Sequence, residues 1–390
     1  MQIMALVSPS VNRVYGKDAP RLAEAELAFV LERSASGALV GTALVEEVGV
    51  TYLRLSIVDA AWESPETSLA IVRALAFSPH VFAAFEEVGR MPLLEAAEPA
   101  REASAEAADP TGKDSSPAVG EGERVYVDEL PSVPLLQPLP LPRVEQLPSD
   151  LLTTLKYQGK TNEQFTALLL VLAAAAAGRT AQLADGTLRV LDPVAGRGTT
   201  LNQALAWGLS PVGVDLDAKD SGLYRAFLTT WLKQQRFKHR VDSGKLTVHR
   251  RSLGARFTAE FARSKEDQKA GRVQRVELFT ADTAELGAFL KASSADVIVA
   301  DLPYGVQHGS RAGKHLQRSP LDLLAAALPA WRQVLAPGGA LALAINRHTA
   351  PPDQVHRVLH EHGFEALQTD ERFRHRVDAS IDRDVVLARR

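Results

Sequence analysis

Leu191-Asp192-Pro193-Val194-Ala195-Gly196-Arg197-Gly198-Thr199-Thr200 is an apolar β-type run that ends in an aspartate and breaks into a glycine-bearing loop, which opens a helix. About a hundred residues later, Val297-Ile298-Val299-Ala300-Asp301-Leu302-Pro303-Tyr304-Gly305 begins the same way: an apolar run, a terminal acid, a loop. In an open α/β sheet such loops lie at the carboxyl ends of strands, where ligands bind. The first has the character of a nucleoside-cofactor loop. The second offers a carboxylate, backbone carbonyls around a proline and an aromatic face, which suits a flat, amine-bearing substrate.

The flanking sequence supports that placement. Strands are expected at 188–191, 211–215, 246–250, 276–280, 296–300 and 340–345, with two more near 364–367 and 384–388. Helices are expected at 165–177, 199–207, 223–236, 321–335 and 353–362, with Thr161 or Asn162 capping the first. Alternating strands and helices indicate a mostly parallel sheet covered on both faces. Residues 151–390 are therefore expected to form one α/β domain.

Residues 1–94 carry a second pattern. Strand candidates at 3–7, 39–45 and 52–58 and helices at 20–31 and 68–77, with Ser68 as a cap, give the order β-α-β-β-α of a small ferredoxin-like α/β domain. It holds no chemical constellation, so packing or substrate docking is its expected role. Residues 95–150 are expected to link the two. The segment 95–122 is acidic and nearly devoid of large apolar residues, so it cannot bury a core. Six prolines between Pro131 and Pro148 then predict an extended connector.

Composition narrows the class. The chain has 390 residues, 46% of them hydrophobic, and no cysteine, which excludes disulfides and thiol chemistry. No apolar run is long enough to span a bilayer, and Met1–Ser10 lacks a secretory pattern. A cytoplasmic protein is the expectation. The net charge of −3 conceals an asymmetry: 95–129 carries a balance of −7 and 233–275 a balance of +9. A basic stretch of that kind attracts nucleic acid through its phosphates, or is simply a solvated charged insertion, here between the strands at 246–250 and 276–280.

Chemistry follows from the residues at the strand ends. Gly196 and Gly198 let the backbone turn and approach a ligand, but neither the full dinucleotide fingerprint nor a P-loop lysine is present. Asp215 ends the next strand, where a carboxylate can accept both hydroxyls of a ribose or cap a helix; Asp217 is the fallback acid. Asp282 can accept from an adenine amine or serve as another cap. At Asp301-Leu302-Pro303-Tyr304, the carboxylate and the carbonyl before Pro303 can take the N–H groups of a base amine, exposing its lone pair. Tyr304 would stack on the base, and a duplex base would have to be flipped out. The histidines form no ligand set, so no metal is expected.

These motifs resemble those of the Rossmann-like, S-adenosylmethionine-dependent amino-methyltransferases. They are most similar to the RNA guanine-N2 group that includes the tRNA methyltransferases with a THUMP domain. Asp192 through Thr199 resembles that family's cofactor loop, with Arg197 where a small residue is usual. Asp215 matches the ribose acid and Asp282 the adenine acid. Asp301, Pro303 and Tyr304 match the catalytic Asp/Asn-Pro-Pro-Tyr motif, with Leu302 in place of the first proline. Thr161 and Phe165 fall in the stretch that packs over the methionine end of the cofactor. The resemblance implies S-adenosylmethionine as cofactor, RNA binding with tRNA as the partner, and methyl transfer to guanine N2. Adenine-N6 methylation of DNA or RNA, or a non-catalytic RNA-binding role, remains the alternative. Oligomeric state and target position are not legible.

Overall fold

A computed structural model of the chain describes residues 1–10, 12–92, 132–157, 160–303 and 319–390. The acidic stretch 95–122, Tyr304, Gly305, His308 and His315 lie outside the described residues.

The first sheet is built from β1 (Gln2–Val7), α1 (Arg13–Ser34), β2 (Leu39–Glu47), β3 (Val50–Ile57), α2 (Asp59–Glu63), α3 (Pro65–Phe77), β4 (Val81–Pro92) and β5 (Ser132–Leu139). Its order is β2-β3-β1-β4-β5, antiparallel throughout, so the first four strands have the ferredoxin-like arrangement. Ser64, not Ser68, caps α3: its hydroxyl accepts from Thr67 N, and Pro65 occupies the first helical position. The expected proline-rich connector is an edge strand over Ser132–Leu139, so the first sheet takes its last strand from beyond residue 94. Proline cannot donate to a ladder, and an edge is where that is tolerated.

The second sheet follows α4 (Asp150–Thr153), α5 (Glu163–Ala176) and α6 (Thr180–Ala184). Its strands and helices run β6 (Val190–Asp192), α7 (Thr199–Ala206), β7 (Val212–Asp215), α8 (Ala218–Gln234), β8 (Lys238–Val248), β9 (Arg251–Ala262), α9 (Lys265–Lys269) and β10 (Gln274–Thr280). They continue as α10 (Leu286–Phe289), β11 (Ala295–Asp301), α11 (Pro320–Val334), β12 (Leu335–Asn346), α12 (Pro352–Glu361), β13 (Glu365–Leu367), β14 (His375–Arg376) and β15 (Asp382–Arg389). The order is β13-β15-β12-β11-β6-β7-β10-β9-β8, with β14 on β15. Strands β12, β11, β6, β7 and β10 are parallel, the doubly wound Rossmann-like arrangement. Chain order reverses at β6, between β7 and β11, which makes that crevice the switch point.

The basic segment departs from expectation. Instead of one strand and a charged insertion, β8 and β9 form an antiparallel hairpin that extends the sheet past β10.

Helix α5 joins the two sheets. It packs on α1 on one side and on β11, β12 and β15 on the other, so every residue from Phe165 to Ala176 is buried. A helix covered all round needs no polar face, which explains the unbroken apolar run Ala167–Ala176. Asn162 caps it, accepting from Phe165 N at 3.1 Å. Among the described residues no helix is long and apolar enough to cross a membrane.

Candidate active site

Because the five central strands are parallel, their carboxyl ends share one edge. Asp192 ends β6, Asp215 ends β7 and Asp301 ends β11, while Asp282 follows β10. The fold thus brings four acids that are far apart in sequence to one edge of the sheet.

The glycine loop is shaped from below by Asp192. This side chain is buried, accepts from Val194 N at 3.1 Å and bonds the Thr200 hydroxyl. It moulds the loop rather than facing the crevice. Burial pushes its carboxyl up to about 7, Asp215 and Asp301 push the same way, and its two hydrogen bonds oppose them. The native state therefore holds a proton between about pH 4 and pH 7 that the unfolded chain has lost, and stability falls as pH rises through that window. Asp192→Asn is expected to flatten this slope, by on the order of 3 kcal/mol between the two limits. Melting curves of both proteins at pH 5 and pH 8 check it; equal pH slopes would contradict it.

Asp215 accepts from Gly196 N at 2.6 Å and from Asp217 N at 2.8 Å. The helix cap is Asp217, which accepts from Lys219 N and Asp220 N to start α8. Asp215 is thus tied to the glycine loop, and each of its oxygens retains acceptor capacity for a diol. Burial raises its carboxyl above the ordinary range, and the two amides oppose that. Leu216 beside it is 66% exposed, an apolar surface at the lip of the crevice. Asp282 does cap a short 3₁₀ turn, accepting from Ala284 N at 2.9 Å.

Gly198 precedes α7 with φ of +77°, and no side chain caps that helix. A Cβ at Gly198 would lie 2.3 Å from the ring of Tyr224, so the loop and α8 approach as closely as glycine permits. Thr199 bonds the Tyr157 hydroxyl at 3.1 Å. The Arg197 guanidinium lies 4.6 Å from the Tyr157 ring centroid and donates to Asp220 at 2.8 Å. Arg197 is therefore a clamp across the loop.

Asp301 is held by side chains from two other parts of the fold. The Thr161 hydroxyl donates to its Oδ2, and the Arg383 guanidinium lies 4.0 Å from the same oxygen. Leu302 N donates to Ala344 O at 3.0 Å, fixing the backbone that leads into Pro303. Arg383 is buried and lies 4.7 Å from the Phe165 ring centroid. Phe165 has no exposed surface; its ring also meets Tyr15 and His375, so it supports Arg383 from within the core and does not line the crevice. Thr161, expected over the cofactor, is engaged with Asp301.

Sequence reasoning missed Tyr157, Leu216 and Arg383. Tyr157 lies four residues before Thr161, so an aromatic just ahead of the cap was a readable signal. Arg383 belongs to no local motif; only the pairing of β15 with β12 brings it to Asp301.

No family model matches the chain. No curated protein matches it either. Among solved structures, TrmN from Thermus thermophilus aligns over 100% of this chain and 99% of its own, at 18% identity and a TM-score of 0.41. Burkholderia thailandensis 1,6-didemethyltoxoflavin-N1-methyltransferase, solved with 1,6-didemethyltoxoflavin and S-adenosylhomocysteine, covers 52% of this chain and 70% of its own (16% identity, TM-score 0.30). P. horikoshii TYW2 in complex with MeSAdo covers 52% and 56% (12% identity, TM-score 0.29). At these scores the likenesses carry no weight for function, and the fold stands on its own strand order.

Proposed function

We propose that this chain is an S-adenosylmethionine-dependent methyltransferase acting on an exocyclic base amine of RNA, with guanine N2 in tRNA as the target. The observation that carries the reading is the placement of Asp301. It ends β11 at the switch point, beside the glycine loop, its carboxylate held by Thr161 and flanked by Arg383.

The residues present fit the cofactor. Asp215 offers acceptors for a ribose diol, Leu216 an apolar surface for a base, and the uncapped start of α7 offers amides for a carboxylate. S-adenosylmethionine bound there would supply an electrophilic methyl group. The chain supplies the rest. Asp301 and the carbonyl before Pro303 accept the amine N–H groups, which draws the nitrogen toward tetrahedral geometry and exposes its lone pair. Arg383 and Thr161 hold the carboxylate in place, so little reorganisation accompanies reaction. Tyr304, outside the described residues, would stack on the base.

Incubation with methyl-labelled S-adenosylmethionine and total RNA, genomic DNA and a protein extract tests this. Label in RNA is expected. Label in DNA adenine would overturn the substrate, and label in protein, or none, would overturn the function.

A further inference from the structure

Hairpin β8–β9 stands in a particular relation to the crevice. Asp215 pairs with Thr280, Thr280 with Ala255 and Ala255 with Lys245, so these four residues form one row across the sheet. Beyond that row the hairpin continues to a turn at His249 and Arg250 and returns at Arg251. It overshoots the carboxyl edge by about 13 Å at a rise of about 3.3 Å per residue. Arg251 braces it, paired to Glu285 at 2.7 Å beside the turn that Asp282 caps. Gly254, with φ of +145°, lets it lie close against β10: a Cβ there would be 1.8 Å from Thr280 O.

The tip is chemically unusual. His249 and Arg250 both have positive φ, 48° and 67°, in a two-residue hairpin turn. Asn-Gly is the unstrained choice for such a turn. The β2–β3 hairpin, by comparison, also bends through a non-glycine residue, Val48 at φ of 51°, but places Gly49 at its second turn position. Here two exposed, bulky basic residues occupy the strained positions. Lys245 and Arg250 make no ion pair among the described residues, whereas Arg251 and Arg256 do. Strain that persists in a native turn points to a use for the side chains it presents.

We infer that the β8–β9 hairpin is a backbone grip, whose tip binds the phosphates of the substrate RNA away from the target base. This rests on the reading of the chain as an RNA base methyltransferase. Five strand spacings separate β8 from β11, about 24 Å. The grip therefore reaches flanking nucleotides and not the one over Asp301. Charge favours the division of labour. The crevice edge carries Asp215, Asp282 and Asp301, which gives a polyanion no attraction there. Cations raised above that edge supply it, and they leave the crevice free for the base.

The turn provides a test whose two readouts move independently. The double variant His249→Asn/Arg250→Gly removes the tip charge and relaxes the turn, so its melting temperature should not fall. Its affinity for unfractionated tRNA should drop about tenfold near 0.1 M salt, with the slope of log K against log salt shallower by about one. Lys245→Gln, at an exposed position independent of the turn, should lower the slope similarly. Arg250→Lys should retain wild-type slope. S-adenosylhomocysteine binding, read by calorimetry, should be unchanged in all. Wild-type tRNA affinity and slope in both the double variant and Lys245→Gln would overturn the grip alone. A wild-type protein that binds no RNA would overturn the proposed function and the grip with it.

Discussion

Asp301→Asn is expected to lower kcat by about 10²–10⁴-fold, the range for removing a positioned group that acts on the transferring nitrogen. An exocyclic amine is a weak nucleophile because its lone pair is delocalised into the ring. The carboxylate accepts an N–H and stabilises the positive charge that builds on nitrogen as the methyl arrives. Asparagine keeps the shape and can still accept from Thr161, but it loses the charge. Arg383 then lies near a neutral partner, so a modest loss of stability accompanies the loss of rate. S-adenosylhomocysteine affinity should remain near wild type, since Asp215 and the glycine loop are untouched. Single-turnover transfer with calorimetry on the same samples separates the two effects. Wild-type turnover by the variant would remove Asp301 from the chemistry.

The second large effect is on folding. Gly198→Ala is expected to cost about 3–5 kcal/mol, combining overpacking with a left-handed φ that alanine resists. The added Cβ would meet three atoms of the Tyr224 ring between 2.3 and 2.9 Å. Tyr224 has no exposed surface and packs in one cluster with Ala195, Leu201 and Leu228, so it has nowhere to move. The loop must shift instead, taking the start of α7 with it. Urea denaturation should show a lowered midpoint, and cofactor affinity should fall as well. A midpoint equal to wild type would mean that the loop and α8 are not packed this closely.

Strand ends were the most legible part of the sequence. Asp192, Asp215 and Asp301 each close an apolar run, and parallel central strands are apolar on both faces, so the runs stand out. Which acid does what was less legible. Asp215 and Asp217 differ by two residues, and only the observed hydrogen bonds separate the loop tie from the helix cap. Asp192 reads as a site residue but is buried beneath the loop. One end of each sheet was misread, while the opposite edge strands, β2 and β13, stand where strands were expected. Edge strands expose polar groups and tolerate proline, so β5, with Pro134 and Pro138, read as a connector. β9 read as a charged insertion, although Phe257, Ala259 and Phe261 alternate inward along it. Long-range partners such as Arg383 come from topology alone.

The central claim is that the methyl group ends on a base nitrogen held by Asp301. Its most direct measurement is mass spectrometry of nucleosides from tRNA methylated by the wild-type protein, with Asp301→Asn as the blank. The account predicts N2-methylguanosine, or its dimethyl form, in the wild-type digest and only traces with the variant. A methyl on carbon, on a ribose hydroxyl or on a ring nitrogen would contradict it, because none of these needs an acceptor for an amine N–H.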